Sequence, residues 1–104
     1  MKWTRYEILL PLRYNDGRPV ESAKFLQTHL DLIERFGSNT IDLVTALGSW
    51  KYQGTVYEDV LLRMTIDVPG SFEANDYFSE YKEVLKVRFE QIDIWISSHE
   101  IQIL

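Results

Sequence analysis

Between residues 56 and 68 the chain alternates apolar and mostly polar side chains, and this pattern constrains the fold more than any other feature. The apolar positions are Val60, Leu62, Met64, Ile66 and Val68. The intervening positions are Asp59, Leu61, Arg63, Thr65 and Asp67. A period of two residues puts each set on one face of an extended strand. The chain is therefore expected to build a sheet with one buried apolar face and one mostly polar face.

Three other segments predict strands. Residues 5–12 alternate in the same way, and residues 40–50 are rich in Ile, Val, Thr and Leu. Residues 92–104 change phase, because Ile92, Ile94 and Ile96 share one face while Ile101 and Ile103 fall on the other. A bulge or bend near residues 97–99 would reconcile the two halves.

Two segments carry apolar residues at helical spacing. Residues 20–36 form an amphipathic stripe that ends at Gly37, which suits a left-handed helix end. The second stripe, residues 74–89, follows a breaker at Pro69 and Gly70, and Ser71 is the predicted N-cap. Residues 51–54 supply a turn between the second and third strands.

The resulting order is β-α-β-β-α-β, which predicts a single ferredoxin-like α+β domain over residues 1–104. Its antiparallel sheet would have the first and third strands in the middle and both helices on one face. The other face of the sheet stays open, so any functional residues are expected there.

Composition narrows the function. The 104 residues include no cysteine, which excludes disulfides and a cysteine nucleophile, and the two histidines are too few for a zinc site. A net charge of −5 and the lack of a long apolar run argue against nucleic acid and membrane partners. We expect a cytoplasmic protein without a metal or cofactor.

The expected open face mixes aromatic, apolar and charged side chains. Its candidate binding residues are Glu7, Trp50, Tyr57, Asp59, Arg63, Asp93 and Trp95. A surface this apolar indicates an interaction site, and the favoured partner is a second copy of the chain in a homodimer. A small-molecule ligand is the alternative.

Two pairs on this face carry more than one interpretation. Glu7 and Arg63 would lie opposite or diagonal to one another, either as a ligand-binding carboxylate with its orienting guanidinium or as an interface ion pair. Trp50 and Tyr57 would meet across the hairpin, either to fix its register or to form a ligand platform.

Several short motifs carry a resemblance to known sequences. They are Glu7, Asp16-Gly17-x-x-Val20, Gly48-x-Trp50, Glu58, Arg88-Phe89-x-Gln91 and Asp93-Ile94-Trp95-Ile96. In these the chain resembles a family of small uncharacterised bacterial proteins. The resemblance implies no established activity, so it assigns no catalytic residue.

No catalytic or phosphate-binding motif is present, and the third strand lacks the signature of an RNA-binding sheet. We therefore expect a non-catalytic, self-associating domain with a regulatory or scaffold role. The alternative is a small-molecule binder or enzyme of the dimeric α+β barrel type that uses the open face.

Overall fold

The six predicted elements are all present, in the predicted order. The computed structural model describes residues 1–50 and 55–104, with side chains described for 1–45 and 59–104, so the predicted turn at 51–54 lies outside the described residues. The elements are β1 (Lys2–Pro11), α1 (Ser22–Phe36), β2 (Thr40–Trp50), β3 (Thr55–Pro69), α2 (Asn75–Arg88) and β4 (Trp95–Gln102).

The four strands form one antiparallel sheet in the order β2-β3-β1-β4. The first and third strands are central, as predicted, and the fold is the ferredoxin-like β-α-β-β-α-β sandwich. Glu7 pairs with Thr65 on one side and with Ser97 on the other, which fixes the faces of all three strands.

The core lies between the sheet and the two helices. Tyr6, Ile8 and Leu10 of β1 are at most 1% exposed, and Met64 and Ile66 of β3 are equally buried. The helices contribute their apolar sides, with Leu32 from α1 and Phe78, Leu85 and Phe89 from α2. The predicted phase of the third strand is therefore confirmed, except that Val60, in the first half of β3, is 37% exposed.

A polar network joins the two helices. Arg88 donates hydrogen bonds to Thr28 (2.9 Å) and to the Asp31 carboxylate (3.0 Å), and the Tyr81 hydroxyl donates to the same carboxylate (2.8 Å). Burial by itself would raise the pKa of Asp31, but the hydrogen bonds from Gln27, Tyr81 and Arg88 hold it below its ordinary value. Burial raises the pKa of Tyr81. The network ties α1 to α2 in addition to the aromatic contacts of Phe36 with Tyr77 and Phe78.

Gly37 ends α1 as predicted, with φ 85° and its N–H donating to the Ile33 carbonyl at 2.7 Å. The predicted N-cap at Ser71 is wrong, because the Ser71 hydroxyl donates to Glu100 and α2 begins only at Asn75. Hydroxyls of β1 serve this loop instead. The Thr4 hydroxyl accepts the Phe72 N–H at 2.8 Å, and the Tyr6 hydroxyl accepts the Ala74 N–H at 3.1 Å.

The bulge predicted near residues 97–99 is also wrong. β1 and β4 pair without interruption, from Leu9 opposite Trp95 to Lys2 opposite Gln102. No irregularity is needed, because side chains alternate between the faces of a regular strand. Ile96 therefore faces the helices, and Ile101, five residues later, lies on the other face. Ile92, predicted to share the face of Ile96, precedes the strand and is 91% exposed.

Candidate functional site

The side of the sheet away from the helices presents four neighbouring rows of side chains, one from each strand, which we call the open face. Its residues on the central and β4 strands are Trp3, Arg5, Glu7, Leu9, Pro11, Asp59, Leu61, Arg63, Thr65, Asp67, Trp95, Ser97, His99 and Ile101, and β2 adds Thr40, Asp42 and Val44. All core residues of the strands lie on the opposite side. The helices therefore leave this face to be covered from outside.

Two bidentate ion pairs cross the open face. Arg5 donates to Asp67 at 2.8 and 3.0 Å, and Arg63 donates to Asp42 at 2.9 and 2.5 Å. Each arginine lies directly opposite its carboxylate in the strand ladder. The hydrogen bonds from Arg63 lower the pKa of Asp42, so this carboxylate stays ionised at neutral pH. Within the described residues, the two arginines already have their carboxylate partners.

Glu7 lies near the centre of the open face, diagonal to Arg63 as predicted. The predicted ion pair between them is not formed, because Asp42 stands directly opposite Arg63 and takes both of its hydrogen bonds. Glu7 is close enough to act on both guanidinium groups. The pKa of Arg5 is raised first by its hydrogen bonds to Asp67, and the Glu7 carboxylate adds to this effect.

Apolar side chains occupy both ends of the open face. Trp3 pairs with Ile101 at one end, and Leu9 pairs with Trp95 at the other. Trp95 is 66% exposed, which is unusual for so large an aromatic side chain in a folded domain. The open face is thus a belt of paired charges between two apolar ends.

At the Trp95 end of the sheet lies a cleft of about 710 Å³, which we call the sheet-end cleft. It is lined by Leu9, Pro11, Leu12, Arg13, Tyr14, Asn15, Asp59, Val60, Leu61, Gln91, Asp93, Ile94 and Trp95. Because β1 lies between β3 and β4, Leu9 and Pro11 lie between walls formed by residues 59–61 and 93–95. The loop after β1 closes the end.

Both cleft walls carry a carboxylate. Asp93 accepts hydrogen bonds from the Lys82 ammonium (2.9 Å) and from the Ile94 N–H (2.9 Å), and these two contacts lower its pKa. Asp59 is an exposed residue on the opposite wall. Arg13 donates to the Gly17 carbonyl at 3.0 Å and brings a positive charge to the closed end. The cleft therefore combines an apolar floor with charges of both signs.

Tyr14 holds the loop that closes the cleft. Its ring is 5% exposed and lies under two cations, with the Arg18 guanidinium carbon at 4.6 Å and the Lys24 nitrogen at 4.8 Å from the ring centre. Its hydroxyl donates to Glu21. Backbone hydrogen bonds of 2.8 and 2.9 Å close the turn around Gly17, whose φ of 91° suits the predicted Asp-Gly turn.

The structure brings together five of the seven candidate residues. Glu7, Arg63 and Trp95 lie on the open face, and Asp59, Asp93 and Trp95 line the sheet-end cleft. The side chains of Trp50 and Tyr57 lie outside the described residues, and the backbone ladder pairs Trp50 with Thr55 and Tyr57 with Gly48. Whether the two rings meet stays a prediction.

Sequence reasoning missed the loop residues of the cleft, Arg13, Asn15 and Gln91. They come from two connections that meet only after the sheet has formed. The available signal was the placement of polar residues directly after β1 and directly before β4, since the antiparallel pairing brings these two points to one end of the sheet.

His99 and Glu100 are neighbours that point to opposite faces, since His99 pairs with Arg5 and Glu100 with Thr4. They cannot grip one metal ion together. The described residues contain no group of three or more side chains that could hold a metal ion. Neither described helix is long and apolar enough to cross a membrane.

Comparison with known proteins supports the fold. No family model matches the chain, and no curated protein matches its sequence. Among solved structures, it is similar to the B. subtilis GlnK–ATP complex, with a TM-score of 0.65 and 20% identity over 96% of this chain and 82% of that one. It is also similar to a phage SAM lyase in complex with S-methyl-5′-thioadenosine, with a TM-score of 0.60 and 10% identity over 97% and 90% of the two chains. At these identities the likeness is one of fold.

Proposed function

We propose that the protein is a non-catalytic cytoplasmic domain that forms a homodimer through its open face and has a regulatory or scaffold role. One observation carries this proposal. Trp95 is 66% exposed beside Leu9, on a sheet face that neither helix covers. Large aromatic side chains in such positions are the usual anchors of protein interfaces.

The charges of the open face also favour a second copy as the cover. Arg5 and Arg63 already hold carboxylates of their own chain, so burying them does not leave a bare charge. A face that carries both signs in adjacent rows is able to match itself when one copy is turned against another.

Sedimentation velocity of the wild-type protein and two aspartate variants tests the proposal. The wild type is expected to sediment as a dimer, and Trp95→Asp as a monomer, because a charge on the anchor opposes burial. Val87→Asp is the control, since Val87 is an apolar residue on α2, away from the open face, and is 80% exposed. A monomeric wild type, or a Trp95→Asp variant that stays dimeric, contradicts the proposal.

The sheet-end cleft favours a second candidate function, small-molecule binding. Its volume of about 710 Å³ falls in the range of ligand sites, roughly 300–1,000 Å³. The two similar structures hold ATP and S-methyl-5′-thioadenosine, which supports a ligand-binding role for a chain of this fold.

Nuclear magnetic resonance tests the second candidate with those two compounds as probes. We expect backbone amide shifts in residues 13–15 and 91–95, at the cleft, and not in α2. If neither compound at millimolar concentration shifts the cleft resonances, this candidate is wrong for both, while the dimer proposal is unaffected.

A further inference from the structure

The cleft residues themselves indicate what kind of ligand would fit, and this step rests on the second candidate function. Trp95 contributes an indole that is 66% exposed at one wall. Leu9, Pro11 and Leu61 supply apolar surface beside it. A flat aromatic ring is the ligand shape that gains most from such a surface, because ring stacking buries both partners at little conformational cost.

The polar groups on the walls indicate which substituents the ring should carry. Asp59 and Asp93 line opposite walls, and an ionised carboxylate only accepts hydrogen bonds. Asp93 uses one oxygen, Oδ1, for both Lys82 and the Ile94 N–H. A ligand that reaches its other oxygen, Oδ2, must donate a hydrogen bond. The ring is therefore expected to carry a donor such as an amino group at the edge that meets these walls.

A third observation concerns the open face. Leu9, Pro11, Leu61 and Trp95 belong both to that face and to the lining of the cleft. A second copy that covers the Trp95 end of the open face would occupy the surface on which the ring stacks. The same indole surface cannot be covered twice, so the two occupants exclude one another.

We propose that the sheet-end cleft binds an amino-substituted heteroaromatic ring of the adenine type, stacked on Trp95, in competition with a second copy of the chain. Ligand binding then converts dimer to monomer. By linkage, a higher protein concentration favours the dimer and so weakens the apparent affinity for the ligand.

Adenosine and purine riboside are the matched probes, because purine riboside has only a hydrogen atom where adenosine has the 6-amino group. Calorimetric titration of the wild-type protein is expected to show adenosine binding at least about tenfold tighter than purine riboside, since purine riboside leaves the wall carboxylate without its donor. Equal affinities for the two nucleosides, or no binding of adenosine, overturn the proposal.

Two tryptophan variants test the competition. Trp95→Ala is expected to lose adenosine binding and to weaken the dimer. Trp3→Ala removes a tryptophan from the other end of the same face, outside the cleft, and is expected to weaken the dimer alone. Its adenosine affinity, measured at one fixed protein concentration, should therefore rise. Loss of adenosine binding in Trp3→Ala contradicts the assignment to the cleft.

Sedimentation with saturating adenosine separates this inference from the proposed dimer. A wild-type dimer that adenosine converts to monomer supports both. A dimer that binds adenosine and remains a dimer overturns the competition, while the open-face interface stands. A protein that is monomeric without ligand overturns the interface and, with it, the competition.

Discussion

The two faces of the sheet are made by the same strands and yet differ in their exposure to water. On β1, Tyr6, Ile8 and Leu10 are at most 1% exposed, while the residues between them, Arg5, Glu7 and Leu9, keep part of their surface in water. The first set is covered by the chain's own helices. The second has no cover within the described chain, so one strand pattern encodes both a core and an exposed face.

The largest expected difference between the faces concerns neighbouring leucines of β1. Leu10→Ala should lower the free energy of unfolding by about 2–5 kcal/mol, because it leaves a cavity in a packed core. Leu9→Ala should cost less than about 1 kcal/mol in the monomer, where part of this side chain already contacts water. Urea unfolding followed by circular dichroism at low micromolar concentration measures both.

Equal losses for the two leucines would contradict the contrast between the faces. Repeating the experiment at high protein concentration sharpens it. If a second copy covers the open face, the cost of Leu9→Ala should grow with concentration, and the cost of Leu10→Ala should stay the same.

A smaller effect is expected on the covered side, at the helix network. Asp31→Asn should lower the free energy of unfolding by about 2 kcal/mol at neutral pH, because Arg88 and Tyr81 lose a charged acceptor. The pKa of Asp31 is lowered in the folded state, so its contribution is present above the pKa of the unfolded carboxyl and is lost as the pH falls toward the folded value.

Urea unfolding at several pH values between 2 and 7 measures this contribution. The difference between wild type and Asp31→Asn should shrink as the pH falls below about 4. Glu34→Gln, an exposed carboxylate on the same helix, is the control and should show little difference at any pH. A constant difference across the range would contradict the assigned role of the Asp31 charge.

The smallest expected effect belongs to the ion pairs of the open face. Asp42→Asn should change the free energy of unfolding far less than Asp31→Asn does, because exposed pairs gain little in water. The effect should also fade in 1 M salt. A loss as large as that of Asp31→Asn would show that the open face is already shielded from water in the monomer.

The strands and their faces could be predicted from the sequence because alternation is a local signal. The ten residues from Asp59 to Val68 carry enough of it to place Met64 and Ile66 in the core. The helix end at Gly37 was equally legible, since a positive φ strongly favours glycine.

Two of the errors concern partners that are distant in sequence. Ser71 resembles an N-cap, but its hydroxyl goes to Glu100, and Thr4 serves the loop from the far end of the chain. Arg63 is diagonal to Glu7, yet the register of the edge strand puts Asp42 directly across from it. Local pattern gives no information on which of two carboxylates an arginine will hold.

The sheet-end cleft was invisible for a related reason. Its walls come from β3 and from the segment before β4, and its closed end comes from the loop after β1. These segments become neighbours only through the antiparallel register. Each segment looks ordinary alone, with a single carboxylate, a single arginine or a single tryptophan.

The Tyr14 loop has a consequence for binding rates. With the ring held under Arg18 and Lys24 and its hydroxyl on Glu21, the closed end of the cleft is already in place before any molecule arrives. Binding of a ligand would then carry little free-energy cost for ordering the protein. Association of a ligand with the cleft should therefore be limited by diffusional encounter, with no slow rearrangement of residues 13–20.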